Sequence, residues 1–525
     1  MFVQTTGMYL VSVIGLYILL LLGYYVLSKQ RPISSFKTKN SWLINGLSLF
    51  IVHFSVTTPL LYSGLFHNEG VGGLWLLWCG YPISGFVPFV FAPLWAKLDF
   101  ITDNQLILYR FTGKPAKILH QFRAVYVGFL VVAFLLSFQV LALIKSLEFF
   151  THFSENSIYL ILSAILIFIA FKNNLNMNLK LDVFHSILIF TVISLALVFF
   201  YINSNGWYES VNTIHNTDPQ TLNIFPKNTS YLFILFTVHT WSVMLFDGSG
   251  VDAQRFFSTD NKNKAWLPAS SSVAYNFIFT FLLLSVLMLG KASFDTTTLE
   301  DKEKMILHYM NAGTPQWLHP FILIAIFAIF LTSFEGLINW GVSFLTVDLY
   351  KTYIMPKSDH NKQRQVSVLA MVSITAFSII LAYFNDSLES IIKAFFSITA
   401  GVAPVFLLRW FWMRINAWSQ LSAMIASLIY AMFYTFIISN TPFENQICDF
   451  LALNTYSLKL LFITFLTCIT WLIFTFSTPP DDAQRLKEFR SEVLEKADLK
   501  KGFVKAVLFG VGVTFLLVLI LYIML

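Results

Sequence analysis

The chain has 525 residues, of which 57% are hydrophobic and only 12% are charged, and its mean hydropathy is +0.69. This composition excludes a water-soluble globule of this length and predicts a polytopic membrane protein. The net charge of +6 gives no reason to expect nucleic-acid binding, and the three cysteines lack the spacing of a metal site or a disulfide framework.

Apolar runs of spanning length recur along the chain. The first, 8–27, has no basic region before it and no small-residue cleavage site after it, so it predicts a retained span and not a signal peptide. The sequence therefore predicts an all-α membrane protein with about fourteen transmembrane helices. The other thirteen runs are 42–66, 72–96, 120–146, 157–172, 181–203, 230–250, 265–290, 317–347, 364–384, 387–409, 416–440, 457–477 and 503–524.

The basic residues distinguish the two sides of the bilayer. If the amino terminus lies outside, most of the 34 Lys and Arg residues fall in the inward-facing connections. Positive charge is retained on the cytoplasmic side, so we expect a cell-membrane protein with both termini outside. The inward-facing connections are then 28–41, 97–119, 173–180, 251–264, 348–363, 410–415 and 478–502.

The second span is predicted to be interrupted. It places His53, Thr57, Thr58 and Pro59 close together near the middle of the membrane. Pro59 lacks a backbone N–H and disfavours helix in the residue before it. A membrane helix is broken only where its freed backbone groups find partners, and such breaks bind ions and substrates in secondary transporters.

The seventh span carries a second sign of interruption. His239 and Trp241 lie near its middle, and Asp247-Gly-Ser-Gly250 follows. The glycine pair is also compatible with a simple loop entry, because it lies nearer the inner face than the midplane. For His53 and His239 the alternative interpretation is that of hydrogen-bonded interior residues.

The two interrupted spans are five spans apart, which predicts two five-helix repeats of opposite orientation. A surface helix is expected over 479–502, because Pro and Asp stand at its start and Lys500, Lys501 and Gly502 at its end. The predicted organisation is a peripheral first helix and inner loop (1–41), a first repeat (42–203), an outer loop (204–229), a second repeat (230–409) and peripheral helices (410–525).

The ninth span carries a polar stripe. Carboxylates, amides and hydroxyls are costly in hydrocarbon, so this side should face the bundle interior or a watery cavity. We interpret the stripe as a candidate path for an ion or solute, and interhelical hydrogen bonding is the alternative. On a helical wheel five residues lie within about 60° of Thr332: Glu335, Gly336, Asn339, Ser343 and Thr346.

Two other intramembrane charges have structural interpretations. Asp182 opens the sixth span, where a carboxylate near a helix amino terminus is favourable. Lys393 follows Glu389 by four residues, so an ion pair along one helix accounts for it. Neither charge requires a transport role.

Three stretches give this sequence a family resemblance. They are Gly250-Val-Asp-Ala-Gln-Arg255, the ninth-span stretch 331–351, and LLRWFWMRINAWSQLSAM at 407–424. From about residue 42 to residue 425 the chain resembles the sodium/solute symporter family, whose fold is the leucine-transporter-type inverted repeat. The last two stretches look most like a bacterial subgroup of poorly defined substrate.

The resemblance implies a sodium site between the second and ninth spans. Its ligands would be the backbone carbonyls of Ile51, Phe54 and Ile329 and the hydroxyls of Thr332 and Ser333. Five oxygens suit a hard monovalent cation, and the polar stripe meets this implied site at Thr332.

A second cation site is less well supported. The resemblance links Asp182 to a second sodium or to the inner exit, but Gly336 stands where the family has a third hydroxyl. Glu335, beside it, is a candidate ligand or proton site.

For the solute, we expect contacts from the two interrupted spans and the eleventh span. A carboxylate-bearing solute would suit His53, His239 and Lys393, and the short Thr57 and Thr58 weaken the case for a sugar. The expected contacts are His53, Thr57, Thr58, His239, Trp241, Asp247, Ser249 and Lys393.

These observations predict a sodium-coupled symporter of a small organic solute, such as an amino acid, sugar or sugar acid, working as a monomer in the bilayer by alternating access. The first alternative is a proton-coupled carrier on the same fold, with Glu335 or Asp182 as the titrating group. The second is a transporter-like solute sensor. No nucleophile motif, phosphate loop or metal cluster stands out, so we do not expect an enzyme.

Overall fold

A computed structural model describes residues 13, 15–17, 19, 20, 23 and 40–525, except for 99, 152, 173–178, 205, 244–246, 298 and 496. Helices dominate this part of the chain, which contains no β-strand, so the predicted all-α fold is confirmed. Among the described residues, ten helices are long and apolar enough to cross a membrane. This number does not establish the predicted fourteen spans, because other predicted spans fall on shorter or interrupted helices. Most of the predicted first span lies outside the described residues.

The principal helices, in chain order, are α1 (Trp42–His53), α2 (Thr57–Glu69), α3 (Gly113–Thr151), α4 (Glu155–Lys172), α5 (Leu179–Asn203), α6 (229–243), α7 (Val251–Phe257), α8 (Trp266–Ser293), α9 (Gln316–Ile354), α10 (His360–Tyr383), α11 (Leu388–Phe411), α12 (Ala417–Ile438), α13 (Thr455–Ser477), α14 (Ala483–Phe489) and α15 (Leu499–Met524). Shorter helical pieces lie between them: Gly70–Leu74, Trp75–Trp78, Tyr81–Ile83, Val87–Phe91, Ala92–Trp95, Gln105–Arg110, Trp207–Thr217, Pro219–Leu222, Lys262–Lys264, Lys302–Lys304, Met305–Gly313 and Pro442–Leu451.

The predicted interruption of the second span is confirmed. Helix α1 ends at His53 and α2 begins at Thr57, so residues 54–56 are not helical. The Ser55 and Thr57 hydroxyls lie 2.5 Å apart across this break. Pro59 occupies the first turn of α2, where its missing N–H would have no helical partner in any case. The break therefore lies just before the proline, as the sequence predicts.

The seventh span is followed by a second helix, and two glycines lie between them. Helix α6 is described as far as residue 243, and α7 starts at Val251. Between them Gly248 and Gly250 have φ values of +67° and +81°, a region that other residues rarely adopt. The glycine pair therefore lies between two helices, in a backbone conformation that favours glycine.

Gly250 provides a test of this turn. A Cβ atom there would lie 3.0 Å from a ring carbon of Trp340, and the positive φ would be strained as well. We expect Gly250→Ala to destabilise the protein by about 1–3 kcal/mol, seen as a lower midpoint of thermal unfolding. Gly512→Ala is the control, because no atom lies within 4 Å of its built Cβ. Equal midpoints for the two variants would contradict the proposed constraint.

Helix α9 occupies the centre of the molecule. It packs against α1, α3, α5 and α10, and almost every side chain from His319 to Ser343 is buried. The hydroxyl, carboxyl and amide groups of the polar stripe are buried along with the apolar residues. The prediction that this stripe faces protein and not lipid is therefore confirmed.

The helix predicted over 479–502 is shorter than expected. Helix α14 and its continuation Arg490–Leu494 end well before Lys500, which lies in the first turn of α15. Two aspartates set these limits, since Asp482 accepts a hydrogen bond from the Arg485 N–H and Asp498 accepts one from the Lys501 N–H. A carboxylate at each of these positions caps a new helix, so the segment contains two helix starts and not one.

Candidate functional site

The break in the second span borders helix α9. Phe54 at the break and Ile329 of α9 line the same cavity of about 40 Å³. One turn along α9, the Ser333 hydroxyl donates to the Ile329 carbonyl at 2.8 Å. Ile51, the other predicted ligand of α1, is fully buried. The structure therefore brings the interrupted backbone and Ile329 to the same small space, although neither Thr332 nor Ser333 is among the residues that line it.

The hydroxyl of Thr332 points towards α5. Its Oγ1 atom lies 2.7 Å from His185 Nδ1, and the other nitrogen of that ring lies 2.9 Å from the Tyr17 hydroxyl. The imidazole thus bridges two hydroxyl groups, one of them on α9. Sequence analysis singled out Thr332, but nothing in the pattern indicated that His185 would meet it or that Tyr17 would meet His185.

Asp182 lies in a polar cluster between α5 and α1. Its Oδ2 atom accepts a hydrogen bond of 2.6 Å from the Ser48 hydroxyl, which in turn accepts one of 3.2 Å from Arg255 Nη2. Asp182 and Arg255 are both buried, with 6% and 1% of their surfaces exposed. The guanidinium thus provides positive charge near the carboxylate, with a hydroxyl between them.

The rest of the polar stripe contains buried polar atoms without hydrogen-bond partners in the described part of the chain. Among the described residues no hydrogen-bond partner meets Glu335 Oε1 or either polar atom of the Asn339 amide, and all three atoms are buried. A Cβ atom at Gly336 would lie 3.6 Å from Arg255 Nη2. The stripe therefore holds polar groups that are available to an ion, a water molecule or a solute.

A larger cavity also borders the break, because Phe54 lines it as well. It measures about 280 Å³ and lies between α1, α2, residues 77–88, the start of α7, and α8. His53 Nε2 lies 2.9 Å from Asp252 Oδ1 in its wall. Many of the lining side chains are hydroxyls, amides or aromatic rings: Thr58, Tyr62, Trp78, Tyr81, Ser84, Ser272, Asn276 and Thr280.

Two hydroxyls in this wall are unpaired. The Oγ atoms of Ser84 and Ser272 are buried and have no hydrogen-bond partner in the described part of the chain. Buried polar atoms in native proteins are normally paired, so these two hydroxyls are available to bond a water molecule or a solute in the cavity. The cavity is suited to a small molecule with hydrogen-bonding groups.

The structure does not bring the eight expected solute contacts together, because four of them are engaged elsewhere. His239 is fully buried, with the Leu76 carbonyl 2.8 Å from one ring nitrogen and the Tyr456 hydroxyl 2.7 Å from the other. The polar groups of Thr57 and Lys393 are also taken: the Thr57 hydroxyl pairs with Ser55, and Lys393 pairs with Glu389 at 2.5 Å. The fourth, Trp241, packs its ring against Phe86.

Asp247 forms a buried ion pair and does not line the 280 Å³ cavity. Its Oδ2 atom accepts hydrogen bonds from Arg409 Nη2 and Trp410 Nε1, both at 2.6 Å, and its backbone carbonyl accepts one from Trp95 at 2.7 Å. Ser249, the remaining expected contact, lines a different cavity of about 340 Å³. Only His53 and Thr58 of the expected eight line the polar cavity.

The sequence matches the model of a known protein family. The model of the sodium:solute symporter family matches residues 38–427, which include the break, the polar cavity and helix α9. The chain belongs to the sodium:solute symporter family. The resemblance expected from the sequence is thereby confirmed.

Individual relatives of this chain are distant. A sodium/glucose cotransporter of Vibrio parahaemolyticus is 27% identical over 24% of this chain and 24% of its own length. An osmoregulated proline transporter of Bacillus subtilis is 21% identical over 51% of this chain and 54% of its own length. The chain thus matches about a quarter and about half of these two relatives, both of which are named as transporters.

Among solved structures, a Na⁺-coupled sialic acid symporter in a substrate-bound, outward-open state is similar. The TM-score is 0.72 at 15% identity, and the match covers 90% of this chain and 98% of the symporter. At this identity the likeness establishes the fold. Together with the family match, it confirms the predicted leucine-transporter-type architecture of the chain as a multi-pass membrane protein.

Proposed function

We propose that this symporter couples the inward movement of sodium to that of a small organic solute by alternating access. The observation that carries the proposal is the helix break at residues 54–56, which borders both the small cavity beside α9 and the polar cavity. One interruption can then serve both ligands. One relative is named as a sodium/glucose cotransporter and the other as a proline transporter, and these names support a small organic solute.

For sodium, the proposed ligands are the carbonyls of Ile51, Phe54 and Ile329 and the hydroxyls of Thr332 and Ser333. The short contact between Ser333 and the Ile329 carbonyl supports this set, since it places two of the oxygens side by side. The membrane potential would supply about 2.3 kcal/mol of free energy per 100 mV for each sodium ion that enters the cell. Asp182 and Glu335 are proposed for a second cation or a proton.

Coupling follows if both ligands stabilise the same arrangement of the break. Sodium held between α1 and α9 would order the unwound backbone, and that backbone borders the polar cavity. By linkage, if sodium tightens solute binding, then solute tightens sodium binding by the same factor. A screen of solutes by thermal stability of the purified protein, in sodium and in potassium, tests this: we expect a solute that stabilises the protein only in sodium.

For the solute, we propose the polar cavity and not the wider set of expected contacts. No Lys or Arg is among the side chains that line it, and its one imidazole is paired with Asp252. The expectation of a carboxylate-bearing solute depended on His239 and Lys393 as well, and their polar groups are engaged elsewhere. The cavity therefore favours a solute recognised through hydroxyl or amide groups.

Adjacent threonines test this placement. Thr58 lines the cavity, whereas the Thr57 hydroxyl bonds to Ser55. We expect Thr58→Val to raise the solute concentration needed for half-maximal uptake by about tenfold, as the loss of one hydrogen bond of about 1.4 kcal/mol would. Thr57→Val should raise it less. A larger effect at Thr57 than at Thr58 would contradict the assigned cavity.

We also propose that the protein works as a monomer in the cell membrane with both termini outside. The distribution of basic residues supports this orientation. Labelling of cysteines introduced at the two ends, by a reagent that does not cross membranes, tests the orientation.

The proton-coupled alternative predicts uptake driven by a pH gradient in sodium-free buffer, and the sodium-coupled proposal predicts none.

A further inference from the structure

A second large cavity lies among the membrane-spanning helices, away from the proposed solute cavity. It measures about 340 Å³ and lies between α3, α10, α11 and α12, with Ser249 and Trp340 also in its wall. It shares no lining residue with the polar cavity. Neither the proposed sodium ligands nor the cavity assigned to the solute accounts for it.

The walls of this cavity are apolar. Apart from Arg123, Ser249 and Thr399, the lining side chains are hydrophobic or aromatic. The guanidinium of Arg123 is directed at Asp103, with Nη2 donating to Oδ2 at 2.6 Å, and the Thr399 hydroxyl donates to the carbonyl of Phe395. A hydrated ion or a polar solute would lose water here without gaining enough partners, so these walls suit hydrocarbon.

The mouth of the cavity faces the bilayer. Leu130 lines the cavity and still has 42% of its surface exposed. Other lining helices carry exposed apolar side chains nearby in sequence, such as Ile380 on α10 and Ile429 on α12. In a membrane protein such side chains meet acyl chains and not water. The molecules present in bulk at this mouth are therefore membrane lipids.

We propose that a hydrocarbon chain of a membrane lipid occupies this cavity. It would contact Trp340, whose ring packs closely on Gly250, and Ser249 between α6 and α7. A lipid chain would thus touch the glycine turn that joins these two helices. The assignment depends on the apolar walls and the exposed mouth, and it holds whether or not sodium is the coupled ion.

The experiment uses the full chain in vesicles of phosphatidylcholine whose acyl chains carry bromine, a short-range quencher of tryptophan fluorescence. Because the chain has 13 tryptophans, the contribution of Trp340 is taken as the difference between the wild type and Trp340→Phe. We expect brominated chains to reduce this contribution at least twofold relative to unbrominated lipid. Val402→Phe and Leu428→Phe, which place a larger side chain in the cavity wall, should each abolish the reduction.

The matched control is Ile380→Phe, because Ile380 is 51% exposed and does not line the cavity, so this variant should retain the quenching. Two results would overturn the proposal. In one, the Trp340 contribution is insensitive to brominated lipid, or is quenched as strongly in both filled variants as in the wild type. In the other, aqueous iodide quenches Trp340, which would make the cavity part of a watery path.

Discussion

Removing the hydroxyl of Ser333 or Thr332 is expected to raise the sodium concentration for half-maximal uptake by about tenfold or more. Each hydroxyl is one of five proposed ligands, and about 1.4 kcal/mol of binding free energy corresponds to this factor. The Ser333 hydroxyl lies beside the Ile329 carbonyl, and Thr332 Oγ1 lies beside His185. Sodium-dependent uptake by vesicles, measured for Ser333→Ala and Thr332→Ala, gives the result.

Two variants separate a sodium ligand from a general defect. Ser343→Ala removes another buried hydroxyl of α9, which donates to the Trp340 carbonyl, and it should leave the sodium dependence unchanged. Thr332→Ser keeps the hydroxyl and should retain most of the sodium affinity. If Ser343→Ala shifted the sodium dependence as much as Ser333→Ala, the effect would belong to the helix and not to a site.

Arg409→Ala is expected to destabilise the protein by about 3–5 kcal/mol, the largest effect on stability that we predict. It would leave the fully buried carboxylate of Asp247 without its cation, although Trp410 would still donate to it. The carboxylate lies next to the glycine turn between α6 and α7, so loosening it should also impair transport. Unfolding of the purified protein by heat and by denaturant measures the change.

The control for this pair is Lys393→Ala. Its ion pair with Glu389 is along one helix and partly exposed, with 27% and 20% of the two side chains accessible, so we expect a change of at most about 1 kcal/mol. A combined Asp247→Leu and Arg409→Leu variant should lose less stability than Arg409→Ala, because no charge is left buried alone. Equal losses of stability in Arg409→Ala and Lys393→Ala would contradict the role assigned to the buried ion pair of Asp247 and Arg409.

Local sequence rules predicted the features that depend on nearby residues. Pro59 forces a break within a few residues of itself, and the break lies at 54–56. The alignment of Thr332 and Glu335 on one side of a helix follows from helical periodicity, and burial of that side follows from the cost of polar groups in lipid. These predictions needed no knowledge of which helices are neighbours.

The grouping of solute contacts could not be predicted in the same way. His239 and Tyr456 are 217 residues apart, and Asp247 and Arg409 are 162 residues apart, so nothing in the local pattern shows that each pair meets. Because Asp247 follows a predicted broken span, the sequence placed it near the solute site, but its partners Arg409 and Trp410 on α11 determine where its side chain points. Tertiary packing, not position along a helix, decided these outcomes.

Binding of radioactive sodium to the purified protein tests the central claim most directly, since it requires no knowledge of the solute. That claim is that the break at 54–56 and the Ile329–Ser333 turn of α9 together hold one sodium ion. The account predicts saturable binding that excess potassium does not displace, and its loss when Thr332 and Ser333 are both replaced by alanine. Unchanged sodium binding by a folded double variant, or no saturable binding by the wild type, would contradict it.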